Sequence, residues 1–135
     1  MKAFIDTNVI IDVLEKRHPF YLHSANIIEL GATGNAELFT SALSLINCIY
    51  ICRKGLGQAK AVEYIGRISS IIRISPLTEK EFNEAISMGT SDVEDAIQYC
   101  SAISAGCEVL ITRNKKDYPF SSLPVMTPEE FLNNL

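Results

Sequence analysis

The sequence predicts an α/β fold, in which residues 1–135 form a single three-layer α/β/α sandwich around a mostly parallel sheet of four to five strands. Short apolar segments alternate with segments of helical periodicity along the whole chain. The strand segments are continuously apolar, as expected for strands covered on both faces. The 135 residues are 47% hydrophobic and 21% charged, which suits one ordered domain with a sizeable core.

The first part of the chain contains two predicted strands and three predicted helices. The apolar opening segment ends at Asp6, and helical spacing begins directly after it. Pro19 breaks the first helix, Gly31 ends the second, and Gly55 ends the third. In chain order we predict strand 2–5, helix 9–14, helix 19–30, strand 37–41 and helix 42–54.

The second part continues the alternation. Thr78 and Glu81 form a capping-box pattern, and Ser91 with Glu94 forms a second one, so each pair predicts a helix start. Pro128 suits the first turn of a short terminal helix. The predicted elements are helix 59–69, strand 71–74, a helix from 78, helix 91–105, strand 108–112, strand 123–126 and a helix from 127.

Composition limits the classes of function. A formal net charge of −4 and a pI of about 5.1 argue against a protein that coats nucleic acid through a broad basic surface. Four cysteines in a chain of this size are predicted to be buried free thiols, and Cys48 and Cys52 have no nearby histidine with which to bind zinc. No apolar run approaches the roughly 20 residues of a membrane span, and no signal peptide precedes the first strand, so we expect a cytoplasmic protein.

Three short acidic segments, 4–8, 92–96 and 112–117, lie where a strand meets a helix or where a helix begins. Parallel strands bring their carboxyl ends to one edge of the sheet, where ligands of open α/β sheets bind. Carboxylates without histidine or cysteine suit a hard divalent cation such as Mg²⁺. The sequence therefore predicts a metal site at this edge.

Each acid also has a simpler structural explanation. Asp6 could only cap the first helix, Asp92 and Glu94 suit the first turn of a helix, and Asp117 could end a short turn. Asp95 is harder to explain, because its helix is largely apolar on the adjoining face. A carboxylate against a core needs a partner, and a cation shared with Asp6 would supply one.

The ordered set of segments resembles the PIN domain, the fold of the VapC-like toxin ribonucleases. The matching features are Phe-Ile-Asp-Thr-Asn at 4–8, a strand end at Ser41 before an apolar helix, Asp-Ala-Ile at 95–97, and the segment 110–118. They occur in the expected order and span essentially the whole chain.

The resemblance implies a metal-dependent endoribonuclease that uses Mg²⁺ or Mn²⁺ and forms the toxin half of a toxin–antitoxin pair. Asp6 and Asp95 would be metal ligands, with Asp117 as an outer catalytic acid. Supporting positions around the acids would be Thr7, Asn8, Ser41, Asn47, Thr112 and Asn114. The expected RNA contacts, taken from the clusters of basic residues, are Arg53, Lys54, Arg113 and Lys115.

Asn47 departs from the family pattern, which has a glutamate there. An amide oxygen can coordinate a cation but contributes no charge. Either a subfamily works with asparagine at this position, or Asp92 or Glu94 compensates for the lost charge. The alternative function is a PIN-fold module that binds RNA or protein with weak or no nuclease activity. A phosphatase of the haloacid-dehalogenase type would need a second acid two residues after Asp6, where Asn8 stands.

The partners expected for this chain are an RNA substrate, a cognate antitoxin and a second copy of itself. The homodimer prediction rests partly on the resemblance, because many relatives form dimers. It also rests on Ile46, Ile49 and Tyr50, whose apolar side chains add to one helix that is already rich in core candidates. Simple burial of these side chains within the monomer is the alternative.

Overall fold

A five-stranded sheet forms the centre of the computed structural model, which describes residues 1–135. The strands are β1 Lys2–Ile5, β2 Glu37–Ser41, β3 Arg73–Ser75, β4 Val109–Ile111 and β5 Val125–Met126. Their order is β3-β2-β1-β4-β5, and all four neighbouring pairs are parallel. The predicted parallel α/β/α fold is confirmed.

Seven α-helices and one short 3₁₀ turn accompany the five strands. The helices are α1 Thr7–Leu14, α2 Tyr21–Ala32, α3 Ala42–Leu56, α4 Gln58–Ile68, α5 Glu79–Ser87, α6 Val93–Ser104 and α7 Pro128–Asn133, and the 3₁₀ turn is Lys115–Asp117. Every predicted helix and strand is present, although β3, β4 and β5 are shorter than predicted. None of the helices has both the length and the apolar character needed to cross a membrane.

The two faces of the sheet carry separate cores. In β1, Ala3 and Ile5 pack into the larger cluster, which includes buried side chains from α1 to α4 and α7. Phe4 points to the other face, where it packs with Ala102 of α6 and Tyr118. This alternation follows from the two-residue period of a strand. All four cysteines are free and buried, as predicted.

The start of α6 differs from its prediction. Asp92, not Ser91, is the N-cap, and its Oδ1 accepts a hydrogen bond from the Asp95 backbone N–H at 3.1 Å. The predicted Ser91–Glu94 capping box is therefore wrong, because the Glu94 side chain binds Asn47 instead. The other predicted box is present: Glu81 accepts from the N–H of its N-cap residue at 2.6 Å.

Candidate active site

The carboxyl ends of the strands bring four polar side chains to one edge of the sheet. Asp6 follows β1, Ser41 ends β2, Ser75 ends β3 and Thr112 follows β4, and all four are buried. The backbone N–H of Asp6 donates to the Ile111 carbonyl at 2.9 Å, which fixes the β1–β4 register at this edge. The predicted convergence of strand ends therefore exists in the fold.

Asp6 is the most enclosed acid at this edge, with 7% of its surface exposed. Its Oδ1 accepts from the Thr7 N–H at 2.7 Å, and its Oδ2 accepts from the Thr112 hydroxyl at 2.8 Å and from the Asn8 amide at 3.4 Å. Burial raises the pKa of the Asp6 carboxyl above its ordinary value, although hydrogen bonds from Thr112 and Thr7 oppose the rise. Asp6 therefore caps α1, as its purely structural explanation predicts, and it also lies near other acids.

Asp95 and Asp117 lie on the α6 side of Asp6. Burial first, and then the charges of Asp6 and Asp92, raise the pKa of Asp95 to about 7. The charge of Asp117 raises the pKa of both Asp6 and Asp95. Asp92, Asp95 and Asp117 line a cleft of about 550 Å³, with Lys116 on its wall. The fold thus brings the three predicted catalytic acids into one electrostatically coupled cluster.

The carboxylate oxygens present suit a magnesium or manganese ion that keeps several of its waters better than an ion fully enclosed by side chains. No three His, Cys, Asp or Glu side chains are grouped closely enough to form a metal cage. Mg²⁺ needs no such cage, because it keeps several waters and uses one or two carboxylates together with substrate phosphate. Asp6 and Asp95 supply two carboxylates whose mutual repulsion a cation would relieve.

Tyr118 adds a polar atom that the sequence analysis did not assign a role. Its hydroxyl is buried and has no partner within hydrogen-bonding geometry. Burial, and then the negative charges of Asp6 and Asp95, raise the pKa of this phenol. The one signal in the sequence was its position directly after Asp117. The hydroxyl lies close enough to the Asp6 carboxylate to lower the pKa of that acid.

Asn47 lies on α3 at the boundary with α6. Its Nδ2 donates to Oε1 of Glu94 at 2.7 Å. Glu94 is therefore held by Asn47, whereas Asp92 faces the cleft and contributes to the raised pKa of Asp95. Of the two acids predicted to compensate for Asn47, Asp92 is the one that shares the cleft with Asp95.

Gln98 organises a buried hydrogen-bond network that the sequence analysis missed. The Ser41 hydroxyl donates to Gln98 Oε1 at 2.5 Å, and Gln98 Nε2 donates to the Ser44 hydroxyl at 2.6 Å. Ser44 in turn bonds the Thr7 hydroxyl at 2.8 Å. The network joins α6 to the segment beside Asp6. The available signal was a glutamine on an otherwise apolar face, one turn after Asp95.

The turn after β4 is tied to α1 by Asn8. The Asn8 amide donates to the Thr112 hydroxyl at 3.2 Å, and its Oδ1 accepts from the Arg113 N–H at 3.2 Å. The Asn114 N–H also donates to the Thr112 hydroxyl, at 3.1 Å. Asn8 and Thr112 contact Asp6 directly, whereas Asn114 supports the site through its backbone and leaves its side chain exposed.

Arg113, a predicted RNA contact, is held by contacts with other residues of the protein. Its Nε donates to Asp12 Oδ2 at 2.5 Å, and its guanidinium carbon lies 4.2 Å from the centre of the Phe20 ring. Asp12 is fully buried, and burial raises the pKa of its carboxyl even though Arg113 opposes that shift. Neutralising this buried carboxylate is therefore one function of Arg113.

The other predicted RNA contacts lie in two places. Lys115 is on the turn beside the acids, where its ammonium binds Glu130 at 3.0 Å. Arg53 and Lys54 are in the last turn of α3. That helix has 15 residues and begins at the sheet edge, so it carries this pair about 15–20 Å away from the acids. The fold therefore separates Arg53 and Lys54 from the acidic cleft.

A family model described as PIN domain matches residues 2–116. The chain belongs to the PIN domain family. Ribonuclease VapC1 of Aquifex aeolicus (strain VF5) is 30% identical over an alignment of 135 positions, which spans 96% of this chain and 92% of that protein. The resemblance inferred from the sequence is confirmed.

Two solved structures illustrate how widely this PIN fold is shared. VapBC2 from Rickettsia felis, bound to a DNA fragment from its promoter, superposes with a TM-score of 0.71 at 21% identity, covering 93% of this chain and 97% of that chain. A toxin–antitoxin complex from Klebsiella pneumoniae gives a TM-score of 0.66 at 21% identity, with the same two coverages. At this level of identity, the likeness establishes the fold.

Proposed function

We propose that this PIN domain is a metal-dependent endoribonuclease that hydrolyses RNA phosphodiester bonds and is the toxin of a toxin–antitoxin pair. The observation that carries the proposal is the convergence of Asp6, Asp95 and Asp117, in which the pKa of Asp95 is raised to about 7 by burial and by its acidic neighbours. Similarity to Ribonuclease VapC1 supports RNA as the substrate. The fold shared with a toxin–antitoxin complex supports the biological role.

In this proposal Asp6 and Asp95 hold Mg²⁺ or Mn²⁺. The ion, when bound, would neutralise charge on the scissile phosphate and lower the pKa of a coordinated water. Thr112 and the Thr7 N–H fix the Asp6 carboxylate through two hydrogen bonds, so that both of its oxygens keep a defined direction. Asp117, on the cleft wall, would accept a hydrogen bond from the water that attacks phosphorus, while the bond from phosphorus to the leaving ribose oxygen breaks.

Asn47 favours a second candidate function, that of a module which binds RNA or protein with little hydrolysis. Asn47 brings no carboxylate to the site, and its amide donates to Glu94. The cleft then relies on Asp92 for additional negative charge. The two candidates differ in one measurable property, because only the first cleaves RNA.

Purified protein incubated with single-stranded and hairpin RNA tests the proposal. We expect cleavage with Mg²⁺ or Mn²⁺, no cleavage with excess chelator, and loss of cleavage in Asp6→Asn and Asp95→Asn. Glu29→Gln, an exposed carboxylate on α2, is the control and should cleave as the parent does. Binding of RNA without metal-dependent cleavage would favour the second candidate. Cleavage by both aspartate variants at the parent rate would remove the acids from the mechanism.

We also propose a cognate antitoxin and a homodimer as partners. Ile46 and Tyr50, one helical turn apart on α3, are 48% and 55% exposed, as an interface would require. Ile49 does not contribute to this surface, because it packs against the larger core. Light scattering at micromolar concentration is expected to give the dimer mass, and Tyr50→Lys should give the monomer mass. A monomer mass for the parent protein would contradict the dimer.

A further inference from the structure

Asp6 and Asp95, the two carboxylates assigned to the metal, lie on different elements of the fold. Asp6 caps α1, whereas Asp95 is in the first turn of α6. No hydrogen bond joins the two carboxylates. Their separation is therefore set by the contacts that hold α6 against the elements beside Asp6.

Gln98 makes one of these contacts. It lies on α6 one turn after Asp95, and residues three apart on a helix share a face. The side chain is 1% exposed, and both ends of its amide are bonded. The Ser41 hydroxyl donates to its Oε1 at 2.5 Å, and its Nε2 donates to the Ser44 hydroxyl at 2.6 Å. Because buried polar groups cost free energy when they lose their partners, these bonds hold α6 in one position relative to β2 and α3.

A short path of hydrogen bonds continues from Gln98 to Asp6. The Ser44 hydroxyl bonds the Thr7 hydroxyl at 2.8 Å, and the Thr7 N–H donates to Asp6 Oδ1 at 2.7 Å. The Ser44 N–H also donates to the Ser41 hydroxyl at 3.1 Å, which closes a ring with the Gln98 amide. The starts of α1 and α3 are thus joined to α6 through buried polar groups.

A second polar contact holds the same helix away from the acids. The Ser101 hydroxyl donates to the Pro76 carbonyl at 2.6 Å and also bonds the Ser75 hydroxyl at the end of β3. Ser101 lies about 9 Å further along the helix axis than Asp95. Its bonds anchor α6 to β3 and do not lead to Asp6.

An amide suits position 98 better than a carboxylate or an apolar side chain does. The amide both donates and accepts while it carries no charge. An ionised carboxylate would add a negative charge near Asp6 and Asp95, and it could not donate to Ser44. An apolar side chain would remove one hydrogen bond from each of the two serine hydroxyls.

We propose that Gln98 is a positioning residue, which fixes the separation of the Asp6 and Asp95 carboxylates so that one divalent cation reaches both. The inference rests on the metal site of the proposed function, and it adds a buried residue that touches neither the metal nor RNA. Groups that orient metal ligands through hydrogen bonds change metal affinity about 10- to 100-fold when they are mutated. Gln98 should act at the lower end of this range, because it reaches Asp6 through Ser44 and Thr7.

Calorimetric titration with Mn²⁺ measures the effect without any RNA, at a temperature well below the melting temperature of each variant. Gln98→Met keeps the length of the side chain and removes both hydrogen bonds, so it should weaken Mn²⁺ binding about tenfold. Gln58→Met, at an exposed position that begins α4, is the matched control and should bind as the parent does. Unchanged affinity in Gln98→Met would overturn the proposal.

Ser101→Ala separates positioning from a loss of stability. It removes the bonds of α6 to Ser75 and Pro76, and it should lower the midpoint of urea unfolding as Gln98→Met does. Its affinity for Mn²⁺ should equal that of the parent. Equal weakening of Mn²⁺ binding by Ser101→Ala and Gln98→Met would show a general loosening of α6, and it would overturn the proposal.

Ser44→Ala is a smaller change that tests the same path, including the case in which Gln98→Met does not fold. It keeps the bond between Ser41 and Gln98, breaks the connection to Thr7, and should weaken Mn²⁺ binding by up to about tenfold. The double variant should bind Mn²⁺ no more weakly than Gln98→Met alone, because residues in one network do not act additively. Parent-like affinity in Ser44→Ala, or additive losses in the double variant, would contradict the path.

Crystal structures of the metal-free parent and Gln98→Met distinguish this proposal from the proposed function. The distance between the Cγ atoms of Asp6 and Asp95 should differ by about 0.5 Å or more, which exceeds the tolerance of a functional site. An equal distance would overturn the proposal even if the parent binds Mn²⁺. Absence of Mn²⁺ binding by the parent would refute the metal site, and the two structures would still decide whether Gln98 sets the separation of the acids.

Discussion

Replacing Asp95 by asparagine should stabilise the metal-free protein at neutral and alkaline pH. The pKa of Asp95 is raised from 3.8 to about 7 by burial and by Asp6 and Asp92. The folded protein therefore holds a proton that the unfolded chain releases above about pH 4. The stability of the parent should fall as pH rises from 4 to 7 and remain low above pH 7.

The magnitude follows from the size of the shift. A change of about 3 pKa units corresponds to about 4 kcal/mol at 1.36 kcal/mol per unit. Asp95 lines an open cleft, so solvent screening reduces the expected effect to about 2 kcal/mol. Asp95→Asn should therefore raise the free energy of unfolding by about 2 kcal/mol at pH 8 and by almost nothing at pH 4.

Urea unfolding followed by circular dichroism, with chelator present, measures this effect at both pH values. Glu29→Gln removes an exposed carboxylate from α2 and should change stability at neither pH. Adding Mn²⁺ should stabilise the parent and leave Asp95→Asn nearly unchanged. Equal stability of parent and Asp95→Asn at pH 8 without metal would refute the electrostatic strain inferred for the acidic cleft.

Three further predictions concern residues around the site. Arg113→Met should cost about 3–5 kcal/mol at pH 7, because Asp12 is left buried without its partner, and less as the pH falls, because burial raises the pKa of Asp12 and its neutral form needs no positive partner. A pH-independent loss would contradict this. Gln98→Leu should cost about 2 kcal/mol in urea unfolding, because the Ser41 and Ser44 hydroxyls each lose one of their two buried hydrogen bonds. A cost below about 1 kcal/mol would show that both hydroxyls find new partners. Asn47→Glu should tighten Mn²⁺ binding in calorimetry and lower the metal-free melting temperature, because it places a carboxylate beside Glu94. Unchanged affinity and an unchanged melting temperature would place Asn47 outside the site.

The parts of the fold that could be predicted depend on local pattern and on the geometry of parallel sheets. Continuous apolar strands separated by helices already imply parallel pairing with both faces covered. Asp6 and Thr112 could be expected at one edge because each directly follows a strand. The position of Asp95 beside them could be inferred, because a carboxylate at the start of an apolar helix needs a partner.

The remaining features depend on contacts between distant parts of the chain. Asp12 and Arg113 are 101 residues apart, and nothing local to either one indicates the pair. Ser91 and Asp92 are both good N-caps, but in the fold Asp92 caps the helix and the Glu94 carboxylate bonds Asn47. That bond uses the carboxylate which a capping box would have needed, so the local pattern predicted the wrong cap.

Crystals of the parent protein soaked in Mn²⁺, with anomalous difference maps recorded near the manganese edge, test the central claim most directly. The account predicts one strong peak within coordinating distance of the Asp6 and Asp95 carboxylates, and no peak there in Asp95→Asn crystals. A site without density at saturating Mn²⁺, or a peak bound by other residues only, would contradict a metal-dependent centre at this edge of the sheet.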